Sequence, residues 1–84
     1  MISTTVTVAT TPTLLVAAAT GTRTIYLHVT GNSAVYIGGA SVTTAAGLAT
    51  EKHTSPIPII LRDGDSLYGI VASGTVDMRV LRDN

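Results

Sequence analysis

The chain contains no cysteine, no tryptophan and no phenylalanine, and the first of these absences closes a route. Without thiols there are no disulfides and no thiolate metal sites. Two histidines, His28 and His53, do not make a closed zinc site without distant carboxylates. Charge is nearly as scarce: five basic and five acidic residues give a formal net charge of zero. That balance leaves no electrostatic footprint for nucleic acid or an anionic membrane. The longest apolar run, Leu14 to Ala19, is far too short to cross a bilayer. The opening Met1-Ile2-Ser3-Thr4-Thr5 has no basic residue ahead of an apolar core, so it does not read as a secretory signal, and synthesis in the cytosol is expected.

A chain of 84 residues makes one domain, 1–84. A domain of this size buries a modest share of its surface. With disulfides and metals set aside, oligomerisation is the reinforcement left. Low charge points the same way, since a free monomer of zero net charge is prone to associate.

What is abundant is threonine, valine and isoleucine, which are stiff at the first side-chain torsion and favour pleated surfaces. No segment sustains a helical apolar period, and Ala17–Ala19, the one helix-tolerant stretch, ends at Thr20-Gly21-Thr22. Short alternating runs between turn signals predict strands at Thr4–Thr10, Thr13–Ala17, Arg23–Thr30, Ala34–Gly38, Ser41–Thr43, Pro56–Leu61, Leu67–Ala72 and Thr75–Leu81. Residues 1–11 read as an N-terminal arm or edge strand. The expected fold class is all-β: a small β-sandwich or jelly-roll-like barrel of about seven or eight short, mainly antiparallel strands.

Loop lengths that keep apolar residues on one face give expected pairings. A three-residue loop after Thr30 pairs Val29 with Val35 and Leu27 with Ile37, with a glycine or asparagine at positive φ. A loop at Asp63-Gly64-Asp65 sets Leu61 against Leu67, and a Ser73-Gly74 turn sets Val71 against Val76. Pro56 and Pro58 lack backbone donors and place their strand at a sheet edge. The predicted core face is Val6, Val8, Leu14, Val16, Ile25, Leu27, Val29, Val35, Ile37, Ile57, Ile59, Leu61, Leu67, Val71, Val76, Met78 and Val80. Tyr26, Tyr36, Ile60, Tyr68, Ile70 and Leu81 then fall on second faces, and such a surface is too apolar to stay bare.

No constellation for catalysis is legible. Asp63-Gly64-Asp65 lacks the further oxygen ligands of a calcium loop and reads as a solvated turn. Glu51-Lys52-His53 has no serine motif to complete a triad. Gly38-Gly39 is followed by strand-like Ser41-Val42-Thr43-Thr44, not by the helix that a phosphate loop needs, so it reads as a bend or bulge. No cofactor and no metal are expected. The candidate functional residues are instead those of a partner interface: Tyr26, His28, Tyr36, Ile60, Tyr68 and Ile70.

An ordered set of pieces carries a resemblance: Thr13-Leu14-Leu15-Val16-Ala17, Arg23 leading a strand into Thr30-Gly31-Asn32-Ser33, then Val35-Tyr36-Ile37-Gly38-Gly39. Val42 to Leu48, Gly64 to Ile70, Ala72-Ser73-Gly74-Thr75 and a closing Val76 to Leu81 strand complete it. The chain resembles small β-domains in the virions of tailed bacteriophages, especially those of actinobacteria. The resemblance implies a non-enzymatic structural subunit on the capsid surface, a decoration or cement protein that binds the major capsid protein. A homo-oligomer is expected, a trimer being one admissible state. The alternative it implies is a tail or fibre module that binds a receptor or carbohydrate. On the capsid reading, the uncharged stretch Ala34–Thr50 lies against another subunit.

Overall fold

The computed structural model describes residues 2–52 and 57–82. It is all-β, with strands β1 (Ile2–Val8), β2 (Thr13–Val16), β3 (Arg23–Val29), β4 (Val35–Gly38), β5 (Leu48–Thr50), β6 (Ile57–Leu61), β7 (Leu67–Ile70) and β8 (Val76–Arg82). They pair antiparallel in two four-stranded sheets, ordered β1-β8-β3-β6 and β2-β7-β4-β5. Among the described strands, only β4 and β5 are neighbours both along the chain and within a sheet; every other step changes sheet. That winding makes the sandwich a jelly roll.

Alternation explains which side chains meet between the sheets. Ile25, Leu27 and Val29 of β3 and Val76, Met78 and Val80 of β8 point inward from the first sheet. Leu15, Val16, Val35, Ile37 and Leu67 meet them from the second. A fully buried aliphatic side chain contributes about 1.5–3 kcal/mol, so this layer supplies most of the driving force. Corners are held by polar side chains. The Thr13 hydroxyl accepts from Ala9 N at 3.1 Å and donates to Thr11 O at 3.0 Å, fixing the step from β1 to β2.

The expected hairpins do not form. β3, β6 and β8 lie in one sheet while β4 and β7 lie in the other, so Val29 does not pair with Val35, Leu61 with Leu67, or Val71 with Val76. The chain arches between sheets at each of these connections. Positive φ among the described residues occurs at Gly21, Gly64 and Gly74, not at Gly31 or Asn32. Gly31 serves close approach instead: a Cβ there would lie 2.7 Å from Val76 Cγ1, where the chain leaves the first sheet.

Other expectations are corrected by local geometry. Ser41–Thr43 is not a strand, and Leu48–Thr50 is. In β2 the register shifts between Leu14 and Val16, a bulge that buries Leu15 beside Val16 and leaves Leu14 46% exposed rather than in the core. Pro58 does lie on an edge strand, β6. The expectations for His53 and Pro56, and for the side chain of Ile57, lie outside the described residues.

Candidate interaction faces

Strand alternation that fills the core also decides what faces outward. On the β1-β8-β3-β6 sheet, Ser3, Leu81, Tyr26 and Pro58 stand opposite one another across the strands. Beside that row lie Thr5, Arg79 and His28, also in register. Ile60, paired with Thr24, extends the face along β6. Tyr26 is 43% exposed and Ile60 65%, while Leu81 and His28 are half-buried. Between the side chains lies a cavity of about 180 Å³ lined by Ser3, Tyr26, His28, Arg79 and Leu81, with Leu27 and Val80 beneath.

His28 carries an unmet demand at this cavity. Its Nδ1 is buried and has no hydrogen-bond partner among the described residues. Leaving a buried polar atom unpaired costs about 1–3 kcal/mol, and such atoms in native proteins call for an explanation. The neighbouring cation, Arg79, is exposed directly across the strand pair.

The opposite face is built differently. On the β2-β7-β4-β5 sheet, Tyr68 lies between Leu14 and Gly38, and Tyr36 lies between Ile70 and Ala49. Both tyrosines are half-buried. Ile70, expected to be an exposed interface residue, is only 9% exposed, so its side chain is already covered within the domain. The connection from β4 to β5 folds onto this face. Val42 is buried there, close to the sites a Cβ would occupy at Gly38 and Gly47. At Gly47 that Cβ would stand 2.8 Å from Tyr36 Cβ and 2.9 Å from Val42 Cγ2, so only glycine lets the loop lie so close. Gly47 N donates to Thr43 O at 2.8 Å and Val42 N to Gly39 O at 3.0 Å. The uncharged stretch is thus tolerated partly because it packs on its own sheet. Thr43 to Ala46, Leu48 and Ala49 remain exposed.

The candidate interface residues therefore do not form one patch. Tyr26, His28 and Ile60 share one outer face; Tyr36, Tyr68 and Ile70 belong to the other, across the thickness of the sandwich. The first face gains Ser3, Arg79 and Leu81. Leu81 was legible as outward-facing, and Arg79 two positions before it follows from the same alternation.

Asp63 and Asp65 are turn acceptors. Gly21 N donates to Asp63 Oδ1 at 2.7 Å, and Arg62 N donates to Asp65 Oδ2 at 3.1 Å. Half-buried Arg23 spans the same end of the domain, its guanidinium donating to Ala17 O at 2.9 Å, Arg62 O at 3.2 Å and Asp65 O at 2.7 Å. A lone arginine at a strand start gave no sign of this role. Among the described residues, no group of His, Asp and Glu stands together as a metal site requires. No family model, curated protein or solved structure matches the chain.

Proposed function

We propose that the chain is a non-enzymatic structural protein of a tailed-phage virion, a decoration or cement subunit that binds the major capsid protein on the capsid surface and acts as a homo-oligomer. The observation that carries this reading is the outer face of the β1-β8-β3-β6 sheet. It joins an apolar row around Tyr26 to half-buried His28 and exposed Arg79. Tyrosine suits such a face because its ring buries area while its hydroxyl keeps a polar partner. A docked protein surface would cover the row and meet the exposed Arg79 beside it. The cavity of about 180 Å³ falls below the roughly 300–1,000 Å³ of small-molecule pockets, which favours a protein side chain over a free ligand. Jelly rolls occur in viral capsids and in lectins alike, and repetition on a lattice turns weak contacts into firm occupancy.

The competing reading is a tail or fibre module that binds a receptor or carbohydrate, for which Tyr26, open at 43% exposure, would be a stacking platform. Negative-stain imaging of particles made with and without the protein separates the two. A uniform lattice of added density on heads is the expected result. Density confined to tails, together with glycan binding by the isolated domain, would replace the capsid reading.

A further inference from the structure

Four strands lie at sheet edges, β1 and β6 in one sheet and β2 and β5 in the other. Exposed edges template pairing with other chains, and natural proteins blunt them with proline, charge, bulges or short length. Three of these edges are blunted: β6 contains Pro58, β2 has four residues and a register shift, and β5 has three residues. β1 has none of these defences. It runs seven residues, ISTTVTV, with no charge, no proline and an unbroken register from Ile2↔Arg82 to Val8↔Val76.

We propose that β1 pairs with β1 of a second copy, antiparallel about a two-fold axis through Thr5, joining the two β1-β8-β3-β6 sheets into one. The sequence is self-complementary for this pairing. Ile2 falls opposite Val8, Thr4 opposite Val6, Ser3 opposite Thr7, and Thr5 meets itself. Every pair matches core side with core side and outer side with outer side, as the two-residue period requires. Ile2 and Val6 lie on the core side yet are only half-buried, since no strand lies beyond them. Pairing would extend the sheet over that margin. Nothing charged stands in β1 to repel its mate at the axis, and a two-fold contact of one patch with itself closes as a dimer.

This sharpens the homo-oligomer part of the proposed function. It is tested on isolated protein without capsids, so the two readings fail separately. The chain has no cysteine, so single cysteines report cleanly. Ser3, Thr5 and Thr7 are exposed on one face, and the variants are Ser3→Cys, Thr5→Cys and Thr7→Cys. Directly opposed residues have Cβ atoms about 4.5–5.5 Å apart, close to disulfide reach. Ser3 and its own mate would be four residues out of register, roughly 13 Å at about 3.3 Å per residue, beyond the limit of about 7 Å between Cα atoms. Under mild oxidation, Thr5→Cys should give at least about ten-fold more linked dimer than either other variant alone, as a ten-fold difference in effective proximity requires. Mixing Ser3→Cys with Thr7→Cys should restore linkage. Sedimentation should show a concentration-dependent dimer, weakened by Thr5→Glu, whose carboxylate faces Arg79 within its own subunit but its own copy at the axis, while circular dichroism still reports a folded domain. A wild-type monomer at every concentration would overturn the proposal, and so would equal linkage of all three single variants. A dimer that forms without Thr5→Cys linkage would overturn it as well.

Discussion

Replacing Arg23 with alanine should lower stability more than any other exposed-end substitution. The guanidinium joins the loop before β3 to the turn after β6 through Ala17 O at 2.9 Å, Arg62 O at 3.2 Å and Asp65 O at 2.7 Å. The longer contact from Nε to Gly21 O, 3.4 Å, adds little. Bonds from a charged donor contribute about 1.5–3 kcal/mol each when buried, but these acceptors can rehydrate once the side chain is gone. Discounting for that, about 1 kcal/mol for each of the two short bonds gives roughly 2 kcal/mol in all. At about 4–8 °C per kcal/mol for a domain of this size, Tm should fall by about 8–16 °C. Arg23→Lys should fall between, because an ammonium is a compact point donor and cannot fork to separated carbonyls. Thermal unfolding followed by circular dichroism reads both variants. A loss below about 3 °C for Arg23→Ala, or a lysine variant equal to wild type, would refute the reasoning.

Met78 is fully buried, so Met78→Ala should cost about 2–5 kcal/mol; Leu14→Ala, at a site 46% exposed, should stay within about 1 kcal/mol. Denaturant titration of the pair checks that β2 turns Leu15, not Leu14, inward. Thr50 is buried and its hydroxyl donates to Val35 O at 2.9 Å, so Thr50→Val should cost about 0.5–1.5 kcal/mol in the same titration. Gly47→Val drives a side chain into Tyr36 and Val42. It should lift the 39–47 loop from its sheet, read as faster amide exchange at Val42 and Gly47 than in wild type.

Which residues face inward was legible because a strand's side chains alternate, and Ile25, Leu27, Val29, Val76, Met78 and Val80 obey that rule without exception. Which strand pairs with which was not. Any register of the right parity keeps Leu27 and Ile37 on a common side, whether they pair in one sheet or face each other across two. The loop at Thr30–Ala34 accommodates an arch as readily as a hairpin, and the deciding feature is the close passage of Gly31 by Val76. The bulge in β2 moved burial from Leu14 to Leu15, since either leucine satisfies an apolar position in isolation. Proline was the exception to this blindness. Its missing donor placed β6 at an edge before any pairing was known. The candidate interface split for the same reason the hairpins failed: tyrosines on β3 and β4 share a face only if those strands share a sheet.

The proposed function rests on the face around Tyr26 docking a partner. The direct measurement is Tyr26→Ser, assayed in parallel for co-sedimentation with assembled phage heads and for thermal unfolding of the isolated domain. With Tyr26 43% exposed, the melt should shift by only a few degrees, about the scale of 1 kcal/mol or less. Head binding should weaken by about 1–3 kcal/mol, roughly 5- to 150-fold. A large loss of domain stability with unchanged head binding would contradict the account and assign Tyr26 to the fold alone.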